Sequence, residues 1–467
     1  MITIEKSVEQ NYSAGFPAKW TEGQALCATG PTECIPTEGR PLYGRKTSTE
    51  VFRLMRPLRA LAIVLFLSPP GAYAQETAPL GFEEASKLLL LNNPASAVAG
   101  SAVDAARGRL TFYRAALYPQ FSAKAGYSRV GGDFVFTDES YSYGFLASQP
   151  LFSPALPAAA RSAEASYRKA QADFSLVRSG LLYNLKTVFA DLMKAREALK
   201  LSSETLKRRA ENVEIIRIKY EAGRENKAAL LETQSIYKIA VWQNENYKKD
   251  LRLIERRLNR LLARPPMFTT LVSELPEPPA PPEDFGYFSG TLARHPSRLS
   301  ALAALEIARA AVDRSISGFL PQADAIGNYT WEGSDWPYRN KNWSAGISLS
   351  LPLFTSGKLS ADLRAARADR SLAESSLKDA GDAVDLTAED AFLAWRQAWS
   401  YKDVVKASLE AAAARAWLLR KQYLAGQASY FEWRNVEDQL INAENQLLSA
   451  KRDLIVAHAA FVNSLGE

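Results

Sequence analysis

Apolar and polar residues alternate with a period of two in four separate segments of the chain. In the first, Phe121, Ala123, Ala125 and Tyr127 stand opposite Ser122, Lys124, Gly126 and Ser128. The second sets Tyr141, Tyr143, Phe145, Ala147 and Leu151 against Ser140, Ser142, Gly144 and Ser148. A weaker third carries Ala323, Ala325, Gly327, Tyr329 and Trp331 on one face. The fourth is the cleanest, with Trp343, Ala345, Ile347, Leu349 and Leu351 against Ser344, Gly346, Ser348 and Ser350. Such alternation predicts strands, here about 119–130, 140–152, 321–332 and 342–354, each with one apolar and one small polar face. On these segments alone, a sheet half buried on a soluble core and a sheet facing lipid are both open.

Between the strand pairs the period changes. Proline is absent from 158 to 264 and again from 353 to 467, and both stretches are rich in Ala, Leu, Glu, Lys and Arg, which favour helix. Leu181, Leu185, Val188, Leu192, Ala195 and Leu199 step by four and three, and Leu206, Ala210, Val213, Ile216 and Tyr220 continue the pattern. The breaks fall at Gly223 and Gly426, so the spacing predicts helical hairpins over about 159–263 and 358–466. One uninterrupted helix from 159 to 221 would be ~95 Å long, a rod longer than a globular domain of this size. Shorter helices open each half, the second of each pair running from 95 to about 117 and from 296 to about 319. Residues 264–284 hold seven prolines and predict a stiff extended linker.

The two halves repeat one another. At an offset of 202, Asn93-Pro94 answers to His295-Pro296, Tyr118-Pro119-Gln120 to Leu320-Pro321-Gln322, and Gln149-Pro150-Leu151-Phe152 to Leu351-Pro352-Leu353-Phe354. After a slip of one residue, Phe189 answers to Phe392, Tyr220-x-Ala-Gly223 to Tyr423-x-Ala-Gly426, and Leu262 to Leu465. The chain therefore divides into repeat one (75–263), the proline-rich linker, and repeat two (285–467), each two strands and a long hairpin.

Ahead of the repeats, Met55-Arg56-Pro57-Leu58-Arg59, the apolar run 60–67 and Ala72-Tyr73-Ala74 have the charge, apolar core and small-residue site of a secretory signal peptide over 55–74. Residues 1–54 lack periodicity and read as a spurious or disordered extension. Cleavage after 74 would remove Cys27 and Cys34, the only cysteines, leaving no disulfide, thiol ligand or lipid acceptor. The 57 basic and 51 acidic residues are spread along the helices without a basic block, which gives nucleic-acid binding no support.

Four strands cannot close a barrel, and an open sheet edge is not viable in lipid. Membrane barrels need about eight strands or more, so several chains would have to contribute, two of them giving eight strands and three giving twelve with a wider lumen. The duplication, the Tyr-Pro-Gln and Leu-Pro-Gln starts, the two Pro-Leu-Phe ends and the Tyr-x-Ala-Gly turns resemble the outer membrane efflux protein family of TolC-like channels, over roughly residues 80–466. The resemblance implies a mainly α protein with a membrane β-barrel: a homotrimer whose 12-strand barrel sits in the outer membrane and continues into a periplasmic α-helical barrel. It also implies an exit duct for an efflux or type I secretion system, fed by an inner-membrane transporter through a periplasmic adaptor. The competing expectation is a soluble periplasmic coiled-coil or adaptor-like protein.

Nothing in the chain suggests an enzyme or a cofactor. His295 and His458 lie far apart in sequence with no cysteine or HExxH partner, and no metal site is expected. By the resemblance, Tyr220, Ala222, Gly223, Tyr423, Ala425 and Gly426 belong to adaptor-facing hairpin tips. Glu432 would face the pore, with Asn435 on the same side by helical spacing; repeat one places Ala229 opposite Glu432 and Glu232 opposite Asn435. A threefold ring of Glu432 carboxylates would favour cations. Tyr127, Tyr141, Tyr143, Trp331 and Trp343 lie near the loop ends of the strands, where a membrane–water interface would gather aromatics.

Overall fold

The computed structural model describes residues 80–132, 135–266, 273, 275–334 and 340–467, with backbone only at 132 and 135–138. The expected extension (1–54) and signal peptide (55–74), with both cysteines, lie outside the described residues.

The duplication is metrical as well as sequential. Helices α2 (Pro94–Ala115) and α6 (Pro296–Ser317) are each 22 residues long. The long arms α3 (Ala155–Glu221) and α7 (Lys358–Leu424) are each 67, and the returning arms α4 (Lys227–Leu261) and α8 (Tyr430–Ser464) are each 35. At 1.5 Å per residue each long arm spans about 100 Å. Two short helices, α1 (Phe82–Asn92) and α5 (Ser289–Leu292), precede α2 and α6. Asn93 caps α2 by accepting from the Ala95 amide at 2.8 Å, and His295 caps α6 by accepting from the Ser297 amide at 3.1 Å. In each the following proline opens the helix, where a missing N–H costs nothing.

The start of α3 lies four residues before the expected 159, because Pro154 and Pro157 do not delay it. Both sit at the helix entrance, where amides have no intrahelical acceptor in any case. Along α3 the buried positions are dominated by small residues, among them Ala158, Ala165, Ala172, Ala190 and Ala198, which let neighbouring helices approach closely. Larger side chains gather in two equivalent clusters. Phe189, packed edge-on against Phe82 at 5.7 Å, centres the first with Leu185, Leu192 and Leu258. Its counterpart Phe392 centres the second with Phe288, Trp395 and Phe461.

The strands β1 (Gln120–Gly132), β2 (Val135–Phe152), β3 (Gln322–Gly333) and β4 (Asn340–Ser350) form one antiparallel sheet in the order β1-β2-β3-β4. Register settles the faces: Phe121 lies opposite Ala147, Ala123 opposite Phe145, Phe145 opposite Tyr329, and Tyr329 opposite Trp343. The apolar sets of all four strands therefore share one side. Among the described residues no helix packs extensively on the sheet, and that side is bare: Phe121 is 81 % exposed and Ile347 71 %. Every residue of β4 is exposed on both faces. A half-buried sheet on a soluble core is not what this chain builds.

The fourth strand ends at Ser350, short of the expected 354, although the matching Pro150 and Phe152 stay in strand. β2 has a neighbour on each side, and pairs Pro150 with Asp324 and Phe152 with Ala323 across a bulge. β4 has only β3, and Pro352 has no amide to give.

Part of the linker is a strap on the helices. Leu275 is buried against the first cluster and its amide meets Met193 Sδ at 3.4 Å. Two residues on, Glu277 forms an ion pair with Lys402 of α7.

Candidate channel tip and lipid-facing sheet

Both long hairpins reverse through the same turn. Gly223 has φ +69°, with the Arg224 amide donating to Lys219 O at 2.8 Å and the Gly223 amide to Tyr220 O at 2.9 Å. Gly426 has φ +78°, with Gln427 donating to Gln422 O at 2.8 Å and Gly426 to Tyr423 O at 3.1 Å. A left-handed glycine here lets two amides satisfy the last helical carbonyls. Asn226 then caps α4, accepting from the Ala229 amide at 2.8 Å, and Ser429 caps α8.

Glu432 completes the second cap. Its Oε2 accepts from the Ser429 amide and hydroxyl, each at 2.8 Å, while the Glu432 amide reaches Ser429 Oγ at 3.3 Å. These donors hold the carboxyl below the usual carboxylate range. A Ser-x-x-Glu pair ahead of a helix is the sequence signal for this reciprocal arrangement. Asn435, one turn on, is exposed. Glu232 is instead tied to Arg434, whose Nε also lies 3.5 Å from Asp438. The three expected pore residues thus occupy three settings: a capped carboxylate, an exposed amide and an acid with its own counterion.

Tyr220, Ala222, Gly223, Ala425 and Gly426 are exposed, but the Tyr423 side chain is not available to a partner: the residue is 1 % exposed. Its ring stacks on Trp433 at 4.6 Å, Lys219 Nζ lies 3.6 Å above it, and its hydroxyl donates to Glu225 at 3.0 Å. Burial, and then the Glu225 carboxylate, raise its pKa. The cause of this difference from Tyr220 is local: repeat one has Leu230 where repeat two has Trp433, so only Tyr423 finds a ring to stack on.

Around Tyr423 the two repeats are joined within one chain. Lys219 donates to Tyr423 O at 2.7 Å, Tyr430 Oη and Thr233 Oγ1 share a 2.9 Å hydrogen bond, and Arg434 holds Glu232. Ile216, Ala229, Tyr430 and Trp433 close a small apolar core there. Further along, the buried Arg209 pairs with Asp438 and lies 3.6 Å from Glu437, which accepts from Asn212 Nδ2 at 2.9 Å. None of Lys219, Thr233, Tyr430 or Arg434 belongs to a motif, and only the fold brings them together.

In the sheet, the five expected interface aromatics lie on the apolar face. Tyr127 meets Tyr141 with ring centres 4.8 Å apart, and Tyr143 stacks on Trp331 at 5.0 Å and 8°. Trp331 lies near the loop end of β3, while Tyr127, Tyr141 and Tyr143 sit further inside β1 and β2, whose hairpin runs on to Gly132 and Val135. Trp343, opposite Tyr329, is one pair further in and 73 % exposed.

The two histidines serve structure. His458 of α8 lies against Trp395 at 4.8 Å, with Lys186 Nζ 3.5 Å from its Nδ1; burial, then the Lys186 charge, push its pKa down to about 4. A histidine with a folded pKa below its unfolded value of about 6.5 takes up its proton first in the unfolded chain. Its contribution is therefore full above pH 6.5 and is lost as pH falls towards 4. Thermal melts between pH 7 and 4 are expected to show a falling midpoint, with a shallower fall in His458→Gln; equal slopes would refute this. Among the described residues no group of His, Cys, Asp and Glu is placed to hold a metal ion.

A duplicated sheet with an uncovered apolar face, carried on paired rods, defines a membrane channel component. The family model described as outer membrane efflux protein matches residues 85–264 and 288–467, two stretches whose ends are both offset by 203 residues. The chain belongs to the outer membrane efflux protein family, a family of channels and not of enzymes. Among curated proteins it is 25 % identical over 403 residues to the alkaline protease secretion protein AprF of Pseudomonas aeruginosa, covering 81 % of this chain and 83 % of that protein. Among solved structures it resembles the CmeC outer membrane channel of Campylobacter jejuni, with TM-score 0.74, 17 % identity and coverage of 82 % and 85 %. The open-state MtrE outer membrane channel of Neisseria gonorrhoeae gives TM-score 0.74, 20 % identity and coverage of 82 % and 88 %. These structural likenesses concern the fold.

Proposed function

We propose that three copies of this chain close their sheets into one 12-strand barrel in the outer membrane, and that the long hairpins continue it as a periplasmic α-helical barrel. The observation that carries this is the open sheet. β1 and β4 each have one neighbour, and the apolar face has no cover, an arrangement tolerable only where lipid meets that face and further strands meet those edges. The small polar face would then line water. Substrates would arrive from an inner-membrane transporter through a periplasmic adaptor at the hairpin tips. The protease-secretion relative and the outer-membrane-channel neighbours support this role without choosing the cargo. Heat-resistant trimers in the outer-membrane fraction are the expected result; a monomer dispersed without detergent would end the proposal.

At the tip, Tyr220, Ala222, Gly223, Ala425 and Gly426 form the surface offered to the adaptor, and Glu432 with Asn435 lines the narrow end. Glu432→Gln separates the two duties of that residue, because glutamine also serves in a capping box but carries no charge. Its thermal stability should stay within about 0.5 kcal/mol of the parent, while cation preference in planar bilayers falls. Unchanged ion selectivity would remove Glu432 from the pore.

A further inference from the structure

A cavity of about 550 Å³ opens between the strap and helices α3, α7 and α8. That volume falls in the range of small-molecule sites, ~300–1,000 Å³. Its floor is apolar, with Leu275 from the strap and Leu447 and Leu454 from α8. Its charged groups leave a positive surplus: Lys402 and Lys406 stand one turn apart on α7 and Lys451 faces them from α8, against the carboxylates of Glu277 and Asp403. Only Lys402 has acidic partners, Glu277 of the strap and, at 3.8 Å, Asp403. Lys406 and Lys451 have no carboxylate partner among the described residues.

An apolar floor beneath surplus positive charge selects a molecule with an anionic head and a hydrocarbon body. Charge complementarity rejects a cationic amphiphile of the same length, and the size rejects a two-tailed lipid. We propose that this cavity binds a single-chain aliphatic carboxylate, its tail on the leucine floor and its head among the three lysines. Glu277 is then a built-in competitor, since its carboxylate already occupies Lys402 and the ligand head must share or take that position. A bound tail would also fasten the strap to α8, joining the linker between the repeats to the second hairpin. Trp399, whose ring lies 4.5 Å from Lys402 Nζ, is placed to report occupancy.

The test uses the full chain in lipid nanodiscs, titrated with a brominated decanoate while tryptophan fluorescence is followed. Saturable quenching is expected, and it should disappear in Trp399→Phe. Binding should weaken at least tenfold when Lys402, Lys406 and Lys451 are all changed to Gln, and tighten several-fold in Glu277→Gln. Decyltrimethylammonium should not compete. These rim substitutions leave the core untouched, and retention of the oligomer on gels checks assembly in each variant. Quenching that does not saturate, or that is unchanged in the triple variant, would mean partition into the bilayer and overturn the proposal. Displacement by inorganic phosphate alone would overturn it too, as a simple anion site. Either failure leaves the channel reading intact, because conductance is measured separately.

Discussion

Gly144→Val is expected to yield less than a tenth of the parent amount of heat-resistant oligomer. Gly144 lies inside β2, opposite Lys124 on one side and Thr330 on the other. A Cβ there would be driven into Tyr329 O and stand 2.7 Å from Thr330 Cγ2. The first contact is with backbone, which cannot swing aside as a side-chain end can. β2 is held by ladders on both edges, so relief requires parting the β2–β3 seam that joins the repeats. Gly327→Val is the matched control, since a Cβ at Gly327 meets only Ser344 O at 3.9 Å. Semi-native electrophoresis of outer-membrane extracts compares the two; equal oligomer in both would show that the close approach at Gly144 is dispensable.

The second large effect is expected at the tip. Combining Lys219→Met, Tyr430→Phe and Arg434→Ala removes the cation over Tyr423, the bond to Thr233 and the pair with Glu232. Partly exposed ion pairs and a buried neutral hydrogen bond each contribute on the order of 1 kcal/mol net. Together that is about 2–3 kcal/mol, enough to shift an equilibrium between joined and parted hairpins by roughly 30- to 150-fold. Single-channel conductance should rise several-fold, and the core of the barrel should keep its oligomer. Unchanged conductance with intact oligomers would mean that these contacts do not restrain the narrow end.

The strands were legible because one face of each is apolar over most of its length, least cleanly in β3, which leaves a period of two. Their shared orientation needed the register, and the end of β4 needed the knowledge that no strand lies beyond it. The long helices were legible through the absence of proline, yet this same signal misplaced the start of α3, since an entrance tolerates proline that an interior does not. At the tip, the duplicated Tyr-x-Ala-Gly motif predicts two equal turns, and the backbone obliges. The side chains diverge because Trp433 replaces Leu230, a change outside the motif. Glu432 shows the converse: the Ser-x-x-Glu spacing is local and readable, whereas whether its charge also faces a pore depends on neighbours that one chain does not contain.

The seam between β2 and β3 bears on how the protein is made. Its partners, from Phe152 with Ala323 to Tyr141 with Gly333, are separated by the arms α3 and α4, the strap and helices α5 and α6. Hairpins β1–β2 and β3–β4 close locally, but the seam must wait until the second half of the chain has emerged, and such remote closures are slow. Until then the first ribbon is an oily two-stranded flap with a bare flank. That flank can pair with the same flank of another copy until the second half arrives.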